Sequence, residues 1–397
     1  MTEPYDPLAS VQAAGPPGAI SFVYGLPDPG TFPAEELRRA ADEALRERAS
    51  VALQYGPEQG YGPLIDYLRT KIAREEDLPL ERAQMMLTSG SAPALDLLCT
   101  VFTRPGERVL VEAPTYHDSI HLFRDHGLIV QQVPMDGGGL DPRAMAEVLA
   151  GLARRGDRGR FLYTIPNFQN PSGITLAAER RREALRLAEE HGLLIVEDDV
   201  YRDLAYEETP PASLYKLDGG KRVLRIGSFS KILAPGLRMG WLIAPPGLIE
   251  RLVECGLLNM GGGANPLMAN ILATFCRQGL LEPHIKRLRE VYSERRDVAL
   301  DALAANMPEG VQWTRPMGGF FAWISLPPPL RALDVAARAR EAGLWILAGD
   351  PFFAETPTGQ HLRLAFSHVA PDRIREGVHL LGQVVKTVMV QAYKLRK

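Results

Sequence analysis

Cysteine is scarce: the 397 residues hold three, Cys99, Cys255 and Cys276, far apart and each among apolar neighbours. An odd, scattered set excludes a disulfide framework and has no metal-ligand spacing, so a reducing compartment is expected. Long apolar runs are missing too, and no stretch could cross a bilayer as a helix. The N-terminus, Met1 to Gly18, carries acidic residues, Pro and Gly where a signal peptide would have a basic patch and an apolar run. Neither sign of charge is in excess: 45 basic and 48 acidic residues, mixed along the chain, leave a formal net charge of -3. That balance argues against an electrostatic footprint for nucleic acid or an anionic membrane. Internal repeats and low-complexity tracts are absent. The expectation is a cytoplasmic protein acting on a small molecule, with no nucleic-acid or membrane partner and no metal.

What is present is an ordinary globular composition, 46% hydrophobic and 23% charged, in a chain longer than one hydrophobic core usually supports. Gly15-Pro-Pro-Gly18 and Leu26-Pro-Asp-Pro-Gly30 mark an irregular arm broken by one short strand near Ile20 to Val23. Helices follow from Pro33 and over Gly62 to Arg74. Short apolar or β-branched runs then alternate with helical patterns, at Met85–Leu87, Arg108–Glu112, Leu128–Val133, Phe161–Ile165, Leu193–Glu197, Val223–Gly227 and Trp241–Ala244. Several are apolar at consecutive positions, as strands buried on both faces of a mostly parallel sheet would be. After about Leu281 come a long charged helix (Glu282 to Ala305), a strand pair around Gln312–Thr314 and Phe320–Leu326, and a terminal helix, which read as a smaller α+β lobe. The expected division is an arm with part of the small lobe over 1–45, a large domain over 46–281 and a small C-terminal domain over 282–397.

The most informative segment is Gly227-Ser-Phe-Ser-Lys-Ile-Leu-Ala-Pro-Gly-Leu-Arg-Met-Gly-Trp241, at the exit of an expected buried strand. In an extended chain Ser228 and Ser230 face one way and Lys231 the other, and the Pro235-Gly236 turn can bring Arg238 back toward the serines. A phosphate clamp beside an amine would result. Here the sequence resembles the lysine motif of fold-type I pyridoxal-phosphate (PLP) aminotransferases, in the class I/II branch that includes 2-aminoadipate and multi-substrate enzymes. The resemblance covers nearly the whole chain. It implies an α/β fold, with a large domain built on a mostly parallel seven-stranded sheet covered by helices, and a smaller α+β lobe. It also makes Lys231 the Schiff-base lysine, Ser228 and Ser230 phosphate contacts, and Arg238 the arginine that forks onto the phosphate.

Other segments match in the family's order. Glu197-Asp-Asp-Val-Tyr201 closes a buried run with a carboxylate that needs a partner. The resemblance implies that Asp198 faces the pyridine nitrogen and that Tyr201 bonds the ring's 3'-oxygen, which requires the chain to turn directly after Asp198. Asn170, in Asn167-Phe-Gln-Asn-Pro-Ser-Gly173, would donate to that oxygen and touch the substrate carboxylate. Thr88-Ser-Gly-Ser-Ala-Pro-Ala94 offers backbone N–H groups at a helix start, a phosphate seat at Gly90, Ser91 and Ala92. Pro93 stands there in place of a frequent glutamine. Tyr116 resembles the aromatic stacked on the ring, and Tyr55 the phenol that reaches the partner subunit's phosphate, implying a homodimer with shared active sites. Arg363, charged within the alternating run His361–Ser367, matches the arginine that binds the substrate carboxylate in a bidentate pair.

An amino acid and a 2-oxo acid are the implied substrates. Two departures bear on which ones. Tyr24-Gly25 stands where many relatives carry a Gly-Gly pair lying against the substrate, and the first arginine is Arg38, so the arm lacks the arginine found in relatives that take acidic or lysine-derived substrates. Two alternatives stay open: a PLP synthase or lyase that sends the same carbanion to elimination, replacement or carbon–carbon bond formation, and a ligand-binding regulatory domain of this shape, which a DNA-binding module would normally precede.

Overall fold

The computed structural model describes residues 18–394. The start of the expected arm, with Gly15-Pro-Pro, lies outside the described residues. A central sheet runs in the order Met85–Thr88, Gly240–Ile243, Val223–Ser228, Leu194–Asp198, Gly159–Thr164, Arg108–Ala113, Ile129–Asp136 and Gly139–Leu140. Five consecutive strands, from Val223–Ser228 across to Ile129–Asp136, are parallel; Gly240–Ile243 runs against its neighbours. Seven strands match the expectation. The eighth, Gly139–Leu140, is a two-residue antiparallel return formed where the chain doubles back at Gly139, whose φ of +93° suits glycine. Leu110, Leu162, Ile195 and Ile226 are fully buried, and the apolar runs at successive positions place such residues on both sheet faces. Helices Ser91–Phe102, His117–Asp125 and Pro142–Arg154 pack against the strands.

A second core belongs to a four-stranded antiparallel sheet, in the order Gln312–Trp313, Phe321–Leu326, Gln360–Ala365, Leu347–Ala348. The long helices Leu281–Asn306 and Pro371–Lys394 pack together beside it. The strand pair expected near residues 312 and 321 is present, enlarged by Gln360–Ala365 and Leu347–Ala348. Ile20–Ser21 pairs in parallel with Leu344–Trp345, which anchors the arm on this smaller lobe. Ala40 and Ala44, from the helix Ala34–Ala52, join the larger core, and that helix packs on Pro266–Arg277. No described helix is long and apolar enough to cross a membrane.

Candidate active site

Parallel strands that share a direction bring their C-terminal ends to one sheet edge, and the loops leaving those ends carry the candidate residues. Strand Leu194–Asp198 stops at Asp198, and the chain turns at Val200–Tyr201. Tyr201 is thereby buried, edge-on to Phe320 and Phe321 at centroid distances of 5.6 and 5.9 Å. Lys231 follows strand Val223–Ser228; its Nζ lies 5.8 Å from the Tyr201 ring centre and donates to the Gly25 carbonyl at 3.2 Å. Burial pulls the Lys231 ammonium down to about 8, Asp198 opposes that, and Arg363 and Arg238 add to it. All three charges therefore act on this amine.

Asp198 and Asp199 separate cleanly. Asp199 accepts from Asn167 Nδ2 at 2.5 Å and from Arg225 Nε at 3.0 Å, inside a buried ionic network that continues to Glu76. Its charge is met within the protein. Asp198 accepts from the Tyr163 hydroxyl on Oδ2 at 2.7 Å, while Oδ1 is buried with no partner. Burial raises the Asp198 carboxyl to about 6, against the Tyr163 bond, the Val200 N–H and Lys231, which lower it. A buried, half-satisfied carboxylate is costly unless a ligand completes it.

The expected extended run after Ser228 is a turn; even so, the two serine hydroxyls meet, Ser228 Oγ to Ser230 Oγ at 2.9 Å. Arg238, at φ +45°, carries its guanidinium back over Gly90, where an added Cβ would lie 2.5 Å from its Nη2. Gly90 is the N-cap of helix Ser91–Phe102, at φ +111°. Pro93 sits in the first turn, where its missing N–H is no loss. Two hydroxyls, a guanidinium and a helix N-terminus thus meet at the sheet edge, which is an anion-binding set.

Across from this set, Arg363 lies mid-strand with Trp323 and Leu347 as its register partners, so both flanks are pinned. Burial lowers its pKa to about 10. Its guanidinium lies 4.6 Å from the Phe321 ring centre and 4.8 Å from that of Phe352. Nη1 donates to Asn170 Oδ1 at 3.0 Å, Nη2 to the Val23 carbonyl, and Nε is buried without a partner. The arm is drawn in here: Ala365 N–H donates to the Phe22 carbonyl at 3.0 Å and Ser367 Oγ to that of Leu26 at 2.7 Å. Gly25 passes so close to Phe321 that a Cβ would sit 2.2 Å from the ring. Tyr24 is half-buried.

Tyr116 caps helix His117–Asp125, with its hydroxyl donating to Asp118 at 2.5 Å. Tyr55 is not gathered into the cluster. It is 79% exposed, on a groove shared with Ser89 and Gly263, and belongs to an exposed apolar set with Val51, Leu53, Leu257 and Met260.

Sequence reasoning missed several supports. Tyr163 is the partner of Asp198; a phenol inside a doubly buried strand needs an acceptor, and that was the available signal. Glu112, fully buried, accepts from Thr164 Oγ1, from Ile165 N–H at 3.1 Å and from Gln169 Nε2 at 3.1 Å. Gln169 Oε1 in turn accepts from Ser172 N–H at 2.9 Å, so this network shapes the turn that presents Asn170. His117 and Phe352, edge to face at 5.1 Å, continue the aromatic wall around Arg363.

An α/β sheet with an anion seat, a buried amine and an unmet carboxylate at one edge defines a cofactor enzyme of the PLP-transferase type. Residues 25–381 match the family model for aminotransferase class I and II. The chain is 38% identical over 370 residues to aromatic-amino-acid aminotransferase 1 of Thermococcus litoralis, covering 93% of this chain and 88% of that protein. The Pyrococcus horikoshii kynurenine aminotransferase, solved in complex with PMP, superposes with a TM-score of 0.88 at 37% identity, covering 93% of this chain and 91% of that one. The α-aminoadipate aminotransferase of Thermus thermophilus, complexed with N-(5'-phosphopyridoxyl)-L-leucine, does so with a TM-score of 0.85 at 37% identity, covering 94% of each. The chain belongs to the class I and II aminotransferases. It is a PLP-dependent enzyme that moves an amino group between an amino acid and a 2-oxo acid, which decides against the synthase and lyase readings. The orphaned Asp198 Oδ1, the amine of Lys231 and the cradle at Gly90 fit the ring nitrogen, aldehyde and phosphate of that cofactor.

Proposed function

We propose that Lys231 holds the cofactor covalently, that Ser228, Ser230, Arg238 and the N-terminus at Gly90, Ser91 and Ala92 hold its phosphate, and that Asp198, Tyr201, Asn170 and Tyr116 surround its ring. Arg363 and Asn170 bind the substrate carboxylate against the Gly25 backbone, with Tyr24 at the rim. The observation that carries this reading is that the Lys231 amine, the buried and unpartnered Asp198 Oδ1 and the Arg238 guanidinium over Gly90 lie at one end of the sheet. When bound, PLP supplies an electron sink for the bond broken at the substrate Cα. Lys231 does the proton transfer: burial favours its uncharged amine, so its Nζ can take the Cα proton and return it. Arg363 fixes the carboxylate, and with it the bond presented to that amine.

For the substrate, we propose an amino acid with an aromatic or extended apolar side chain. Phe321, Phe352, His117 and Tyr116 supply an aromatic surround and the arm carries no arginine to pair an acidic side chain, while the relatives are named for aromatic amino acids and kynurenine as well as for 2-aminoadipate. The exposed set of Val51, Leu53, Tyr55, Leu257 and Met260 supports a homodimer in which Tyr55 reaches the partner's phosphate. Three unpaired cysteines support a cytoplasmic location. The test is single-turnover amination of the bound cofactor, followed by its visible absorbance, across phenylalanine, kynurenine, 2-aminoadipate and aspartate. Faster conversion with the aromatic pair supports the reading; faster conversion with 2-aminoadipate or aspartate refutes the substrate class, and no conversion on Lys231→Ala is required.

A further inference from the structure

Tyr163 is fully buried on strand Gly159–Thr164, one strand away from Asp198, and its ring is fixed edge-on to Phe123 at 5.6 Å. Its hydroxyl has one partner, Asp198 Oδ2, at 2.7 Å. The bond is one-directional: an ionised carboxylate only accepts, so the phenol donates. It also divides the carboxylate. With Oδ2 taken by Tyr163, Oδ1 is the atom left over, buried and unpartnered. We infer that Tyr163 is a positioning residue that pins Asp198 with Oδ1 free and keeps it an anion, so that the proton shared with the cofactor's ring nitrogen stays on the nitrogen. This rests on the reading that Asp198 faces that nitrogen.

The groups around Asp198 make this donor matter. Asp199 and Glu112 add negative charge, and desolvation favours the neutral acid; the Tyr163 hydroxyl, the Val200 N–H and Lys231 favour the anion. Lys231 loses its ammonium once it binds the cofactor. Tyr163 then remains as the uncharged side-chain donor holding the balance. Burial and the neighbouring carboxylates push its own ionisation well above the ordinary phenol range, so it keeps its proton at any working pH. A carboxylate stripped of this donor holds a proton more tightly, and the shared proton moves from ring nitrogen to Asp198. A bound cofactor would then supply a weaker electron sink.

The test uses holoenzyme loaded with PLP labelled with 15N at the ring nitrogen, whose NMR shift separates protonated from unprotonated ring. The wild type should show the protonated position, and Tyr163→Phe should move toward the unprotonated one. Single-turnover loss of the substrate Cα proton should slow about tenfold or more, the worth of one hydrogen bond to a charged group, with little change in KM. If Tyr163→Phe does not fold, 4-aminophenylalanine at position 163 keeps the shape with a weaker donor and should shift the resonance in the same direction. Wild-type resonance and rate in either variant, alongside a displaced resonance in Asp198→Asn, overturn the role of Tyr163 alone. An unchanged resonance in Asp198→Asn overturns the placement of Asp198, and this inference with it.

Discussion

Replacing Lys231 with methionine should stabilise the cofactor-free protein, because folding buries an ammonium that the cofactor normally neutralises. The lysine falls from its ordinary 10.5 to about 8 in the fold, and each pH unit of that drop is worth about 1.4 kcal/mol. The penalty at pH 7 is therefore up to about 3 kcal/mol, an upper bound because the side chain keeps some solvent contact. Its sign follows from proton counting. Well below pH 8 the lysine is charged in both states and the native state bears the full cost. Between about 8 and 10.5 the unfolded chain binds more protons than the native one, so wild-type stability rises with pH and the gap to the variant closes. At roughly 2 cal/mol/K per residue, about 3 kcal/mol corresponds to a Tm gain of roughly 3–4 °C for this chain. Differential scanning calorimetry of both apo-proteins at pH 7 and 10.5, at one protomer concentration, measures it. A gain that is absent at pH 7, or the same at both pH values, would refute the reasoning.

Other substitutions probe separate parts of the site. Arg363→Lys loses the two-pronged guanidinium and its place against Phe321 and Phe352, so KM for amino acids should rise about 10- to 100-fold with a smaller change in kcat, read by steady-state kinetics. Gly25→Ala places a methyl 2.2 Å from the Phe321 ring; displacing the arm should cost about 1–3 kcal/mol and weaken amino-acid binding, checked by thermal unfolding and substrate titration. Arg238→Ala removes the guanidinium over Gly90 and should weaken PLP binding by more than tenfold while leaving free pyridoxal little affected, measured by equilibrium dialysis. Mixing Lys231→Ala with Tyr55→Ala chains should yield heterodimers with one sound site only if Tyr55 serves the partner; activity no higher than the separate variants would remove it from the site.

The sheet was legible because strands buried on both faces leave an apolar signature at consecutive positions, as in Leu193-Leu-Ile-Val196. The return at Gly139–Leu140 left none, since two residues cannot show a period. Asp198 and Arg363 stood out as charges closing or interrupting apolar runs, and Lys231 through the motif it shares with the family. Their supports did not. Tyr163 reads as one more aromatic in a strand until Asp198 is seen 2.7 Å away, and Glu112 finds Thr164 and Gln169 only across a fold. The difference between Asp198 and Asp199 was likewise invisible in the chain, because it depends on Arg225 and Asn167 reaching one carboxylate and leaving the other open.

Mass spectrometry after borohydride reduction of the purified holoenzyme tests the placement of the cofactor most directly. Reduction freezes the carbon–nitrogen bond between PLP and its lysine, and the digest should carry the phosphopyridoxyl group on Lys231 alone. A label on another lysine, or an unlabelled Lys231 in protein that retains its visible absorbance, would contradict the account.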